Sequence, residues 1–203
     1  MQLTVEGISF RYGKRLPWIL KDVDFTIKSG QRIGLLGTSG YGKSTLGKIL
    51  AGYEKPIEGK VLLDGRALDD KGYCPVQMIH QHPELAVNPR WKMRQILYEA
   101  YTPEEKLLQQ MGLELSWLNR WPRELSGGEL QRFCIARALA PETKFLVCDE
   151  ITTMLDVITQ AQIWQFLLEV AEKRQLGMVI ITHNPELGKR VCTDVVRIDE
   201  LGT

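Results

Sequence analysis

Apolar and polar residues alternate near the start of the chain, with Leu3 and Val5, then Ile8, Phe10 and Tyr12, and again with Val23, Phe25 and Ile27. Alternation of this kind marks half-buried strands, so the pattern predicts an antiparallel pair joined by a loop that contains Gly and Pro. Arg32-Ile33-Gly34-Leu35-Leu36 is a run of buried-strand length, and residues 43–51 read as a helix that Gly52 stops. Residues 60–63 and 76–79 read as further strands. From about residue 83 to 140 the pattern turns helical, rich in Leu, Gln and Glu, with Pro83, Pro89, Pro103 and Pro122 dividing the pieces. The part up to about Ser126 reads as an inserted lobe. Strand character returns at Phe145-Leu146-Val147-Cys148. A helix around 159–173, a strand at 178–182, a short helix and a last strand near 195–198 follow. Strands alternating with helices predict an α/β fold with a mostly parallel sheet core. An N-terminal antiparallel β-subdomain and an inserted helical lobe at about 83–140 complete one domain over residues 1–203.

Composition narrows the classes open to this pattern. The 203 residues suffice for one domain with a full core. With 26 basic and 25 acidic residues the net charge is +1, which lacks the footprint of a nucleic-acid binder. The longest apolar runs, such as Met178-Val179-Ile180-Ile181, are strand-sized and too short to span a membrane, so work at a membrane requires a partner. The N-terminus carries no secretory signal pattern. Cys74, Cys134, Cys148 and Cys192 are far apart and form no Cys-x-x-Cys pair, which favours reduced, mostly buried thiols in a cytosolic protein.

Gly37-Thr38-Ser39-Gly40-Tyr41-Gly42-Lys43-Ser44-Thr45 fits G-x-x-x-x-G-K-[ST] between a strand and a helix, the context that gives this motif its meaning. Its glycines let successive backbone N–H groups wrap phosphate oxygens, and the helix adds its positive end. Lys43 is placed for the β- and γ-phosphates of a nucleotide, and the Ser44 hydroxyl for Mg²⁺. Phe145 to Glu150 is an apolar strand ending in two carboxylates: Asp149 suits a hold on Mg²⁺, and Glu150 a general base for an attacking water. His183 ends another apolar strand, where it can contact the γ-phosphate and position that water, and Asn184-Pro185 reads as a helix cap. Gln81 ends the strand at 76–79 where the helical region begins, within reach of Mg²⁺ or the water. His80 and His82 flank it and would share a strand face; they read either as a metal pair short of a third ligand or as satisfied side chains.

Leu125-Ser126-Gly127-Gly128-Glu129-Leu130-Gln131-Arg132 places an N-cap Ser and two glycines at the start of a helix running through Phe133, Ile135, Ala136 and Leu139. Such a terminus is an anion site. The first loop already holds the chain's own nucleotide, so this second site suits the γ-phosphate of a second subunit's ATP.

With these motifs in order, the chain resembles the ABC transporter ATPase family over nearly its whole length. The resemblance implies an ATPase that uses ATP and Mg²⁺. Tyr12 sits where the family stacks an aromatic on adenine, and Met154-Leu155-Asp156 matches the D-loop, which brings Asp156 to the nucleotide interface. It also implies two such domains closing head to tail on two ATPs, as a homodimer or with a related ATPase. Integral membrane permease subunits, an extracytoplasmic solute-binding protein and a peripheral place on the cytoplasmic face of the membrane belong to the same expectation, with no nucleic acid. Gln81-His82-Pro83, Val87-Asn88-Pro89-Arg90 and the run from Leu155 to Ile163 are similar to ATPases of peptide and nickel importers, and phosphonate-uptake ATPases share parts of this pattern. Ile151, Asn184 and Met154 depart from the family's usual Pro, Asp and small residue. The chain ends at Thr203 without the C-terminal extension common in the peptide group, so regulation through such a tail is not expected.

The leading expectation is therefore the motor of an importer. Trp91, Trp117 and Trp121 offer either a docking surface for a membrane-domain helix or packing within the lobe. The alternatives are a soluble ABC ATPase acting on ribosomes or DNA, a small P-loop kinase or GTPase, and an inactive nucleotide-binding partner. The first usually carries paired domains or coiled coils, the second lacks the Ser-Gly-Gly signature, and retention of Lys43, Glu150 and His183 speaks against the third.

Overall fold

A computed structural model describes residues 1–38, 40–68, 72–153 and 155–201. Ser39, Met154 and Thr203, each given a part above, lie outside the described residues. The chain starts with β1 (Gln2–Phe10) and β2 (Leu20–Lys28), continues through β3 (Arg32–Leu36) into α1 (Lys43–Leu50), and returns in β4 (Glu58–Leu63), β5 (Arg66–Ala67) and β6 (Val76–Ile79). Then come α2 (Met93–Leu97), α3 (Glu105–Gln110) and α4 (Gly127–Ala138), followed by β7 (Phe145–Asp149), α5 (Val157–Arg174), β8 (Gly177–Ile181), α6 (Pro185–Val191) and β9 (Asp194–Arg197). Among the described residues the strands form an antiparallel sheet of order β2-β1-β4-β5 and a parallel sheet of order β6-β7-β8-β3-β9.

The first strand departs from the simple alternation. Its register shifts between Val5 and Ile8. The extra residue returns Ile8 and Phe10 to the buried face of Leu3 and Val5, the work of a β-bulge. Tyr12 falls beyond the strand.

The parallel sheet separates two apolar cores. Val147, Val179 and Ile181 pack with Leu3, Ile27, Leu46 and Leu50 on one face. Leu146, Cys148, Met178 and Ile180 pack with α4, α5 and the helical segments on the other. Strands buried on both faces read as unbroken apolar runs, which is why β7 and β8 show no polar alternation.

The helical region is more broken than its composition suggests. Between β6 and α4 the helices span five and six residues, joined by 3₁₀ turns at Pro83–Leu85, Leu115–Asn119 and Pro122–Glu124. Pro cannot continue a helix from its interior, so each Pro resets the chain. Burial of Met93, Ile96, Leu97, Leu108 and Leu118 against Phe133 and Ile135 of α4 holds the pieces. Past the end of α4, the Arg174 guanidinium of α5 donates to the carbonyls of Leu139, Ala140, Pro141 and Thr143 at 2.6–3.2 Å, tying the segment that leads into β7 to α5.

All four cysteines are free thiols. Burial raises the pKa of each, to about 11 for Cys134 and Cys192, so they are packing groups rather than nucleophiles.

Candidate nucleotide site

The C-terminal edge of the parallel sheet gathers the site, where α/β folds place their ligands. β3 delivers the glycine loop, in which Gly37, Gly40 and Gly42 have φ of 143°, 87° and 90°. These angles are open to glycine alone without strain, the backbone freedom that a phosphate-cradling loop requires. Lys43, only 7% exposed as a residue, donates from its ammonium to the carbonyls of Gly37 and Thr38 at 2.8 and 2.9 Å. The Tyr12 and Thr45 hydroxyls lie 3.4 Å apart, while the edge-to-face contact of Tyr12 with Phe10 at 5.0 Å fixes its ring beside the loop.

α1 reaches the site through Gly47. A Cβ there would lie 2.9 Å from Val147 and 3.2 Å from Ile181, so only glycine lets α1 settle so close to β7 and β8. That approach brings the Ser44 hydroxyl to donate to Asp149 Oδ1 at 3.1 Å. Burial pushes the Asp149 carboxyl above its ordinary pKa and the Glu150 charge adds to this, against the Ser44 hydrogen bond, Lys48 and Lys43.

β7 and β8 end together, with Asp149 opposite Ile181, and the Glu150 N–H extends the ladder by donating to Ile181 O at 3.0 Å. Glu150 then turns the chain with φ of 49°. Its Oε2 accepts from Gln81 Nε2 at 3.1 Å and lies 3.2 Å from His183 Nδ1. Glu150 is mostly buried, whereas His183 is two-thirds exposed. Three strand ends thus bring Gln81, Glu150 and His183 to one carboxylate oxygen, beside the Ser44–Asp149 pair. Such a cluster can hold a phosphate chain, a hard cation and a water.

The oxygen donors fit Mg²⁺. Ser44 Oγ, Asp149 and the Gln81 amide offer hard ligands, and no cluster of three or more His, Cys, Asp or Glu among the described residues could hold a metal alone. Mg²⁺ is bound in this way, by few protein groups together with substrate phosphates. The His80/His82 pair does not form a metal centre. His80 is half-buried edge-on to Tyr53 at 5.2 Å, and burial lowers its pKa, while exposed His82 pairs with Glu84 at 3.1 Å.

The signature segment forms elsewhere. Ser126 Oγ accepts from Glu129 N–H at 3.3 Å, and Glu129 Oε2 accepts from Ser126 N–H at 2.6 Å. This reciprocal capping box lowers the Glu129 pKa and occupies its carboxylate locally. Ser126 and Gly127 are exposed, with open space where a Gly127 Cβ would stand. Among the described residues no hydrogen bond joins residues 126–129 to the glycine loop. Asp156 likewise caps α5, accepting from Ile158 N–H, Thr159 N–H and the Thr159 hydroxyl. Of the tryptophans, Trp117 is buried under Arg120 and Arg132, Trp121 is half-buried beside Lys92, and Trp91 is 37% exposed.

Gln131, quoted in the signature segment but given no role of its own there, is 3% exposed within the apolar face of α4. Its amide donates to His80 O at 3.1 Å. A polar side chain among Leu130, Phe133 and Cys134 at helical spacing is the signal that marks it.

Fold and site define a nucleotide-hydrolysing P-loop protein with the signature helix of an ATP-binding cassette. The family model described as "ABC transporter" matches residues 20–153. The chain is 35% identical over 223 aligned residues to the nickel import ATP-binding protein NikE of Shigella boydii serotype 4 (strain Sb227), covering 97% of this chain and 83% of that protein. It is also 35% identical over 201 residues to the protein of that name in Rhodospirillum rubrum, covering 90% and 73%. The ATP-binding cassette MJ0796, solved as a post-hydrolysis dimer with ADP and Pi, superposes with a TM-score of 0.80 at 25% identity over 96% of this chain and 93% of that one. CbiO1 of Clostridium perfringens, part of the transporter complex cbiONQ, matches with a TM-score of 0.75 at 26% identity over 96% and 83%. The chain belongs to the ABC transporter family and is an ATPase of that family.

Proposed function

We propose that the chain is the ATP-hydrolysing motor subunit of an importer for nickel, another metal chelate or peptides, driving separate permease subunits from the cytoplasmic face of a membrane. The meeting of Gln81 and His183 on one Glu150 oxygen, beside Ser44 and Asp149, carries the hydrolytic part of this reading. The name shared by its nickel-import relatives supports the cargo class.

The loop 37–45 cradles the phosphates and Lys43 neutralises them. Tyr12 carries the base. Ser44, Asp149 and Gln81 would hold Mg²⁺, which would supply positive charge to offset that of the phosphates. Glu150 takes the proton of the attacking water, and His183 and Gln81 orient that carboxylate and the water. Ser126, Gly127, Gly128 and Glu129, with Asp156, face the ATP of a second ATPase subunit, either another copy or a related chain. An extracytoplasmic solute-binding protein delivers the cargo to the assembled system. Among the described residues no helix is long and apolar enough to cross a membrane, which leaves the crossing to permease partners.

Affinity capture of tagged Glu150→Gln protein from its native membranes with MgATP tests this reading. Two membrane subunits in the captured complex are the expected result, and a second ATPase recovered there distinguishes heterodimer from homodimer. Ribosomal or DNA-repair proteins without membrane subunits would overturn the transport role.

A further inference from the structure

We infer that Gln131 is a positioning residue for ATP hydrolysis, tying the signature helix to Gln81 and, through it, to Glu150. The inference rests on the roles proposed above for Gln81 and Glu150.

β6 pairs with β7 as far as Ile79 opposite Cys148, so His80 lies just past the ladder. Its carbonyl belongs to the planar peptide unit whose N–H is that of Gln81. Gln131 Nε2 donates to that carbonyl at 3.1 Å from a helix twelve residues long. The plane of this peptide sets the direction in which the Gln81 side chain leaves the backbone, and that side chain donates to Glu150 Oε2 at 3.1 Å. Two hydrogen bonds therefore separate α4 from the carboxylate.

The amide is retained at a cost. Gln131 is 3% exposed among apolar neighbours, and its Oε1 is buried without a hydrogen-bond partner. An apolar side chain of similar size would avoid that unpaired acceptor but would orphan the His80 carbonyl. The amide at this position therefore serves the His80 carbonyl rather than the apolar packing around it.

The same helix meets a second loop of the site. A Cβ on Gly128 would stand 2.7 Å from Leu155 Cδ2, so α4 rests directly on the residue before Asp156. Leu155 is held in turn by Gln160 Nε2, which donates to its carbonyl at 2.9 Å. Gly128 and Gln131 are three positions apart and share a helix face. Movement of α4 as a rigid body therefore shifts the 80–81 peptide and the 155–156 turn together, and what happens at Ser126 and Gly127 reaches Glu150 through Gln131.

The test is steady-state ATP hydrolysis of four forms of the full chain, each assembled with the partners that the capture experiment identifies: wild type, Gln131→Met, Gln81→Ala and the double variant. ATP affinity is measured alongside with a fluorescent ATP analogue. Gln131→Met is expected to lower kcat about tenfold, with KM and analogue affinity unchanged within about twofold, because it removes one orienting hydrogen bond and no nucleotide contact. The double variant is expected to be no slower than Gln81→Ala alone, since residues acting in series do not add. A role in packing alone leaves the kcat of folded Gln131→Met at the wild-type value, which overturns the inference, as do reductions that multiply in the double variant. Full activity in Gln81→Ala removes the role proposed for Gln81 and this inference with it. A slow Gln81→Ala beside a normal Gln131→Met removes Gln131 only. Gln131→Leu gives the same comparison if Gln131→Met does not fold.

Discussion

The glycine loop and the signature segment both place the start of a helix where an anion can bind, yet the chain builds them by opposite means. The loop is assembled across long sequence distances. Ser44 meets Asp149 105 residues away, Tyr12 reaches Thr45, and Gly47 seats α1 against β7 and β8. The signature is closed within four residues by the Ser126–Glu129 capping box, and its Ser126 and Gly127 remain exposed. A half-site made by tertiary contacts is as sound as the core beneath it. A half-site made by a local cap folds with its own helix and presents its donors outward, which suits recognition of a nucleotide held by another chain.

The largest effect expected from this difference lies at Glu150. Glu150→Gln keeps the chain's hold on ATP but removes the base, and kcat should fall by about 10²–10⁴-fold, the range for losing a general base. Hydrolysis near the wild-type rate would take Glu150 out of that role.

Gly47→Ala probes the tertiary half without touching nucleotide. The added methyl meets Val147 and Ile181, so overpacking should cost about 1–3 kcal/mol and draw Ser44 from Asp149. Calorimetry and ATP titration should show stability and affinity falling together. The same test at Gly127, with open space around it, should leave both nearly unchanged.

Asp149→Asn should separate stability from function. The Asp149 pKa is raised in the fold, so its charged form is disfavoured there, and the neutral isostere should melt higher at neutral pH while losing hydrolysis. The gain should shrink as pH falls and the wild-type carboxyl takes up its proton. A lower melting temperature at pH 7 would contradict the sign.

Asp156→Ala should give a small change in stability. The Asp156 pKa is lowered by its cap to Thr159 and Ile158, so the contribution is full above the ordinary aspartate pKa and is lost as pH falls through the depressed value. A slightly lower melting temperature at pH 7, converging with wild type in acid, is the expected scan.

Much of this was legible in sequence because spacing carried it. β3 and β6 lie where their apolar runs predict, and the glycine loop stands between strand and helix as its motif requires. The bulge in β1 was written in the step from Val5 to Ile8, which breaks strict alternation. What composition obscured was the helical region, where Leu, Gln and Glu promise long helices and the prolines leave short ones. The capping roles of Glu129 and Asp156 follow from Ser-x-x-Glu and Asp-x-x-Thr spacing, but a motif read for its ligand hides its use as a cap. The contact made by Gln131 stayed hidden, although the signature contains the residue, because its partner, the His80 carbonyl, is backbone, and sequence does not show which backbone groups a ladder leaves unpaired.

The central claim is that one chain carries halves of two different nucleotide sites. It is tested most directly by the ATP dissociation constant of dilute, monomeric Ser126→Arg beside wild type. The account predicts equal affinity within about twofold, since nothing in the signature segment belongs to the chain's own phosphate cradle. Binding weakened about tenfold or more would place Ser126 in the same site as Lys43 and contradict the division.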